Sequence, residues 1–342
     1  MMNDPSINDL RTKLENYLTA QTGHPTQISD MRPLAGGASR DSWALTAHSG
    51  DETHRLVLRK DLPTTMNENA LSRREEFRLM QKAYDAGVKV ARLRYVCDDV
   101  AVLGLPFFLM DFVPGTSIGR KVITLPELES ARERLPEQMA EQLARIHAIP
   151  PDDAALDFLM RPQDGRSAAE QVIAEAYAVL DALNAPLPAF EFALRWAHNN
   201  APSDDGLTLI HGDFRIGNIL VDADGLSAVI DWEFAHIGHP VEEIGYLCMR
   251  DWRFGNDHLH AGGLCPRERF ISAYEQHSGR RVDRAVADWW EIVGNIRWGI
   301  ICLAQAERHL SGDDPSVELA SLGRRSVEMQ MEALSLIDKI GL

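Results

Sequence analysis

Basic residues are few for the number of acidic ones: 35 lysines and arginines stand against 51 aspartates and glutamates, a net charge of −16. Such a surface repels polyphosphate and anionic headgroups, which argues against a nucleic-acid or membrane partner. A cationic or neutral small partner is compatible with it, and much of the charge simply serves solubility. Cysteine is scarce too. Cys97, Cys248, Cys265 and Cys302 show no Cys-x-x-Cys spacing, so neither a zinc site nor a disulfide framework is expected, and all four read as reduced, mostly buried thiols. No apolar run approaches the ~18 residues of a membrane span. The opening Met1-Met2-Asn3-Asp4-Pro5 lacks the basic and apolar regions of a secretory leader, and the expected compartment is the cytoplasm. Internal repeats and low-complexity tracts are also missing.

What is present is a chain of 342 residues, 45% of them hydrophobic, enough to bury one large core or two closely packed lobes. Leu10, Leu14, Tyr17 and Leu18 recur at helical spacing before Gly23-His24-Pro25 stops the pattern. From Ile28 to about Phe112 the period becomes strand-like, with segments at Ser42–Leu45, Leu56–Arg59, Leu93–Cys97 and Phe107–Phe112 and one helix around Glu75–Tyr84. Pro114-Gly115 reads as a turn, so residues 1–113 are expected to form a β-rich N-terminal lobe and 114–342 a mainly helical C-terminal lobe, an α+β fold. Met139, Leu143 and Ile146 share a helix face ending near His147, and Ala168–Leu183 and Phe190–Ala197 also read as helices. Short apolar runs at Leu207–Ile210 and Ala228–Ile230 read as extended segments. Helical spacing dominates from Arg267 onward, including Trp289–Ala306 and Val317–Ile340.

The chemistry concentrates in His211-Gly212-Asp213-Phe214-Arg215-Ile216-Gly217-Asn218, followed by Ile230-Asp231-Trp232-Glu233. Asp213 and Asn218 have the spacing of a loop in which an aspartate accepts a hydroxyl proton and an asparagine oxygen ligates Mg²⁺. Asp231 would hold a metal bridging phosphates. Oxygen donors without clustered Cys or His suit hard Mg²⁺ rather than zinc. His211 and Arg215 join Asp213 in the catalytic set, and Phe214, Ile216 and Trp232 read as packing residues.

These motifs resemble the aminoglycoside phosphotransferase and choline kinase superfamily, relatives of the protein kinases. The resemblance implies a protein-kinase-like two-lobed fold and ATP-dependent transfer of a phosphoryl group to a small-molecule hydroxyl. A catalytically silent nucleotide-binding scaffold is the competing expectation. The phosphate-covering turn falls on Leu34–Ser39, with Gly36, Gly37 and Ser39 against the nucleotide. The phosphate-contacting cation of strand Val57-Leu58-Arg59 falls on Arg59 in place of the usual lysine, with Lys60 as the alternative. Its carboxylate partner is Glu76 or, as rival, Glu75. Met110, Asp111 and Phe112 form the hinge that meets the adenine edge through main-chain atoms. His211 is implied to brace the loop. In Gly238-His239-Pro240-Val241-Glu242-Glu243 the family's two aspartates are replaced by His239 and Glu243, and Glu243 is expected to restore a hydrogen bond to the catalytic loop with one more methylene.

Ile244–Gly255 is similar to the kinase-like domains fused to acyl-CoA dehydrogenases, which phosphorylate hydroxylated acyl groups. This subgroup resemblance implies an acceptor pocket at Arg250, Trp252 and Arg253, with Trp289, Trp290, Arg297 and Trp298 closing it. Two acceptor classes follow: a polycationic aminoglycoside or amino alcohol, which suits the negative charge, and a hydroxyacyl compound, which suits the subgroup.

Overall fold

The helical spacing of Leu10 to Leu18 becomes α1 (Pro5–Thr22), which lays Leu14 and Leu18 on the first sheet. A computed structural model describes residues 5–34, 41–61, 71–203 and 206–341; Gly36, Gly37 and Ser39 lie outside the described residues. The sheet contains β1 (Thr26–Pro33), β2 (Asp41–Ser49), β3 (Glu52–Lys60), β4 (Leu93–Cys97) and β5 (Phe107–Asp111) in the antiparallel order β1-β2-β3-β5-β4. Strand alternation decides which side chains of β3 meet which layer. Leu56 and Leu58 face α1 together with Phe107 and Leu109, whereas Arg59 lies opposite Phe108 on the other face. That second face is covered by α2 (Arg73–Asp85), which packs Leu79, Met80 and Ala83 into the larger core.

The start of α2 settles which glutamate turns inward. Ser72 caps the helix by accepting from Glu75 N, and the Glu75 carboxylate accepts from Ser72 N at 2.8 Å, a reciprocal capping box. Glu75 is thereby spent on the helix end and stays half-exposed. Glu76, one position on, is buried.

A short helix α3 (Val100–Leu103) links β4 to β5, and α4 (Gly119–Thr124) leads into α5 (Glu129–His147), whose Leu135, Met139, Leu143 and Ile146 are fully buried. The hairpin α6 (Ala168–Leu183) and α7 (Pro188–Asn199) follows. Four short strands then carry the motif region: β6 (Thr208–Ile210) pairs with β9 (His236–Gly238), and β7 (Ile219–Asp222) pairs with β8 (Gly225–Val229). The rest is α8 (Val241–Cys248), a 3₁₀ turn at Arg250–Arg253, α9 (Arg267–Ser278), α10 (Arg284–Ser311), α11 (Val317–Leu322) and α12 (Arg325–Ile340). The stretch Val317–Ile340, expected as one helix, is two. Gly323 and Arg324 lie between them, and a Cβ on Gly323 would come within 2.8 Å of Ala306 on α10. β7 and β9 were not distinguished in the sequence; they are only four and three residues long, too short for alternation to register.

Candidate active site

The pairing of β6 with β9 sets Ile210 opposite His236, and the β7–β8 hairpin sets Ile219 opposite Val229. The loop His211–Asn218 and the segment Ile230–Ala235 are therefore held side by side, tied by Ile230 N donating to Asn218 O at 2.9 Å. Gly212 has φ +85°, and a Cβ on it would lie 2.2 Å from the Phe234 carbonyl oxygen. Only glycine fits that crossing.

Asp213 sits in this loop, buried, with its carboxylate gripped from several sides. Arg215 donates from Nε to Oδ1 at 2.8 Å and from Nη2 to Oδ2 at 3.2 Å. Asn218 Nδ2 donates to the Asp213 carbonyl at 3.0 Å and also to its carboxylate. Tyr246 completes the grip with a side-chain hydrogen bond to Asp213; burial, then the Asp213 charge, holds its phenol well above the ordinary range. The Arg215 guanidinium is clamped from behind by the Trp252 ring, 4.3 Å away. Tyr246 was not singled out in the sequence, although it lies on α8 three residues after Glu243, a helical spacing that points both at the same loop.

His211 is fully buried between Phe214 and Trp232. Its Nδ1 accepts from Asp213 N at 3.3 Å and its Nε2 reaches the Ile230 carbonyl at 3.0 Å. These partners assign the neutral Nε2–H tautomer, which leaves no nitrogen to take a substrate proton. His211 positions the loop. Behind it, Glu243 Oε2 accepts from His211 N at 3.0 Å and Oε1 from Gly212 N at 3.1 Å, while His147 Nε2 is 3.2 Å from Oε2. The longer side chain thus reaches the loop backbone.

Arg59 meets two carboxylates: Nε lies 3.0 Å from Glu76 Oε1, and Nη2 lies 2.6 Å from Asp231 Oδ1. Glu76 is also paired with Arg73, which in turn holds Asp61 at 2.8 Å. An alternating chain Asp61, Arg73, Glu76, Arg59, Asp231 therefore runs from the first sheet to the catalytic segment. Burial would lower the basicity of Arg59, but Glu76 and Asp231 more than reverse that and raise it. Burial would raise the Asp231 carboxyl, and the charge and hydrogen bond of Arg59 beside it, with Arg215 adding to them, bring it below the usual range. Asp231 adopts φ +69°, a left-handed backbone unusual outside glycine. Lys60 lies on the strand face that carries Leu58.

At the hinge, Asp111 N donates to Arg92 O at 2.8 Å and Phe112 N to Arg55 O at 2.9 Å. Both amide hydrogens are committed, so at these residues the main chain has only carbonyl oxygens to offer an adenine edge. The Asp111 carboxylate is held by Arg94, and Met110 lies opposite Val57. Around the expected acceptor pocket, Arg253 is buried and bonded to the Cys248 carbonyl and to Glu291 at 2.9 Å. It is a structural anchor, and Arg250 is exposed and paired with Asp257. Trp252, in contrast, lies on Arg215, with Trp298 packed 5.3 Å from it.

Beside this site His236 and Glu242 form a pair. His236 Nδ1 donates to the Phe234 carbonyl at 2.9 Å and Nε2 faces Glu242 Oε2 at 3.4 Å; Arg297 binds the other Glu242 oxygen. Burial alone would raise the Glu242 carboxyl, but His236 and Arg297 pull it down to about 2. Burial lowers the His236 imidazole, and Glu242 outweighs that and raises it. A raised histidine stabilises the fold below its ordinary value of 6.5 and loses that contribution as pH climbs through the higher folded value. The depressed carboxylate contributes above its ordinary 4.5, and the gain is lost as pH falls toward about 2. Thermal melting of the wild type is therefore expected to weaken above pH ~6.5, and His236→Gln should flatten that alkaline limb.

Asn218 and Asp231 can hold a hard cation. With its amide nitrogen on Asp213, Asn218 has its side-chain oxygen left as donor, and its backbone is tied to Ile230, the residue before Asp231. Among the described residues no cluster of three or more His, Cys, Asp or Glu side chains is arranged to hold a metal. Two oxygen donors are the set expected for Mg²⁺ shared with phosphate oxygens and water.

A sheet lobe joined to a helical lobe, with Asp213, Asn218 and Asp231 at the join, defines the class of kinase-type phosphotransferases with the protein-kinase-like fold. The family model described as the phosphotransferase enzyme family (APH) matches residues 30–290, and the chain belongs to that family. Acyl-CoA dehydrogenase family member 10 of Mus musculus is 31% identical over 240 residues, covering 69% of this chain and 22% of that protein. The chain spans less than half the length of the curated relatives it matches. A putative aminoglycoside phosphotransferase from Ralstonia eutropha JMP134 superimposes with TM-score 0.75 at 21% identity, covering 96% of this chain and 98% of that one. Spectinomycin phosphotransferase APH(9)-Ia, solved with ADP and spectinomycin, gives TM-score 0.58 at 13% identity, covering 95% and 98%. No helix among the described residues is long and apolar enough to cross a membrane.

Proposed function

We propose that the protein transfers the γ-phosphoryl group of ATP to a hydroxyl of a small acyl-type compound, with Asp213 as the base. The observation that carries this reading is the buried Asp213 carboxylate, oriented by Arg215, Asn218 and Tyr246 and facing the segment that bears Asp231. Asp213 orients the acceptor hydroxyl and takes its proton as the oxygen attacks. Arg215 supplies positive charge next to the transferred group. Arg59, held by Glu76, is the cation for the ATP phosphates, residues 1–113 being the nucleotide lobe and 114–342 the acceptor lobe. Mg²⁺ on Asn218 and Asp231 would neutralise phosphate charge when bound. Four free, buried cysteines accord with a reducing cytoplasm.

For the acceptor, Trp252 and Trp298 offer flat apolar walls beside Arg215, which suit an acyl body better than a polycation. The acyl-CoA dehydrogenase relatives point the same way. The test is ADP release with Mg·ATP against hydroxyacyl compounds, amino alcohols and aminoglycosides. Turnover is expected with a hydroxyacyl compound. Turnover with aminoglycosides alone would overturn the acceptor assignment, and tight ATP binding without any turnover would favour a silent scaffold.

A further inference from the structure

A cavity of about 300 Å³ is bounded by the start of α8, by α9 and the residues after it, and by the start of α10. Its floor is apolar, with Pro240, Val241, Val282 and Val286, and its wall includes Tyr274 and His239. The His239 ring stacks on Trp290 at 5.7 Å, and its Nδ1 accepts from Val241 N at 3.2 Å. This is the histidine standing where the resemblance expects an aspartate, a replacement that removes negative charge from the cavity.

The charges at the mouth are unequally committed. Asp283 caps α10 by accepting from Ala285 N at 2.8 Å, and Arg281 pairs with Glu275 at 3.6 Å. Arg267, Arg269 and Arg284 on the flanking helices also have carboxylate partners. Arg280 lines the cavity and has no carboxylate within ion-pairing distance among the described residues. An arginine left uncommitted over an apolar floor suits the anionic head of a ligand whose body is apolar.

Tyr274 connects this cavity to the catalytic loop. Its hydroxyl lies 2.7 Å from His147 Nδ1, His147 Nε2 lies 3.2 Å from Glu243 Oε2, and Glu243 accepts the amides of His211 and Gly212. With Nε2–H facing the carboxylate, Nδ1 accepts and the tyrosine donates. All three side chains are buried, so the relay has no water to exchange partners with.

We propose that this cavity is a regulatory site for a small anion with an apolar body, an arylcarboxylate or a phosphate monoester, held by Arg280 and coupled to the catalytic loop through Tyr274, His147 and Glu243. The test titrates benzoate and phenyl phosphate into the full chain by calorimetry, with benzyl alcohol as the neutral control. Saturable binding of an anion is expected, weakened about tenfold or more in Arg280→Ala at unchanged circular dichroism. The stronger of the two probes identifies carboxylate or phosphate ester as the head group. Amide hydrogen exchange at His211–Gly212 should shift on binding in the wild type and stop responding in Tyr274→Phe, each compared at its own saturating anion concentration. Equal binding in Arg280→Ala, equal binding of benzyl alcohol, or loop exchange indifferent to the anion would overturn the proposal. Neither readout requires phosphoryl transfer, so the result stands apart from the proposed activity.

Discussion

Replacing Asp213 by asparagine is expected to lower phosphoryl transfer by about 10²–10⁴-fold, the usual range for a removed general base. The substitution keeps the shape of the side chain, and an amide oxygen can still accept from Asn218 Nδ2, so the loop should hold its course. Nucleotide affinity should change little, because the proposed phosphate contact runs through Arg59 and Glu76, which do not touch Asp213. The measurement is single-turnover transfer alongside ATP binding. A variant with wild-type turnover would remove Asp213 from the mechanism, whereas loss of ATP binding together with turnover would make it a structural residue.

Glu243→Ala should be the most damaging single change to stability near the site. It strips the acceptor from His211 N, Gly212 N and His147 Nε2 at once. Each buried donor left unsatisfied costs about 1–3 kcal/mol, and with incomplete additivity a total of about 3–5 kcal/mol is expected in urea unfolding. Glu243→Asp retains the charge but shortens the reach by a methylene, and should fall between wild type and alanine. Because the lost bonds fix the backbone one residue before Asp213, transfer should decline in the same order as stability. An alanine variant as stable as the wild type would show that water replaces the carboxylate.

Those residues differ in how far the sequence exposed them. The spacing of Asp213, Asn218 and Asp231 was legible because a loop fixes its geometry within a few residues. Strand alternation put Arg59 and Lys60 on opposite faces of β3 but left Lys60 as an alternative, because which face meets Glu76 and Asp231 is set by tertiary packing. The choice between Glu75 and Glu76 stayed open, because it depended on Ser72 drawing Glu75 into a cap, and capping competes with tertiary pairing at the same few residues. Arg73 was illegible as the link between Glu76 and Asp61: a buried arginine in sequence looks like any charged helix residue. Arg253 was read as a pocket residue because its charge is visible in the sequence, whereas its bond to the Cys248 carbonyl is created only by the 3₁₀ turn after α8.

The alternating chain from Asp61 to Asp231 has three carboxylates and two guanidinium groups, so its two cations are already shared out before any nucleotide arrives. A phosphate that recruits Arg59 competes with Asp231, and a cation that recruits Asp231 competes with Arg59. Either ligand alone must break the ion pair, while the two arriving together exchange one pairing for two. With the proposed roles of Arg59 and Asp231, metal and nucleotide would bind cooperatively, each lowering the cost of admitting the other. The protein would act as a coincidence detector, weakly receptive to free ATP or to the free cation and strongly receptive to their complex.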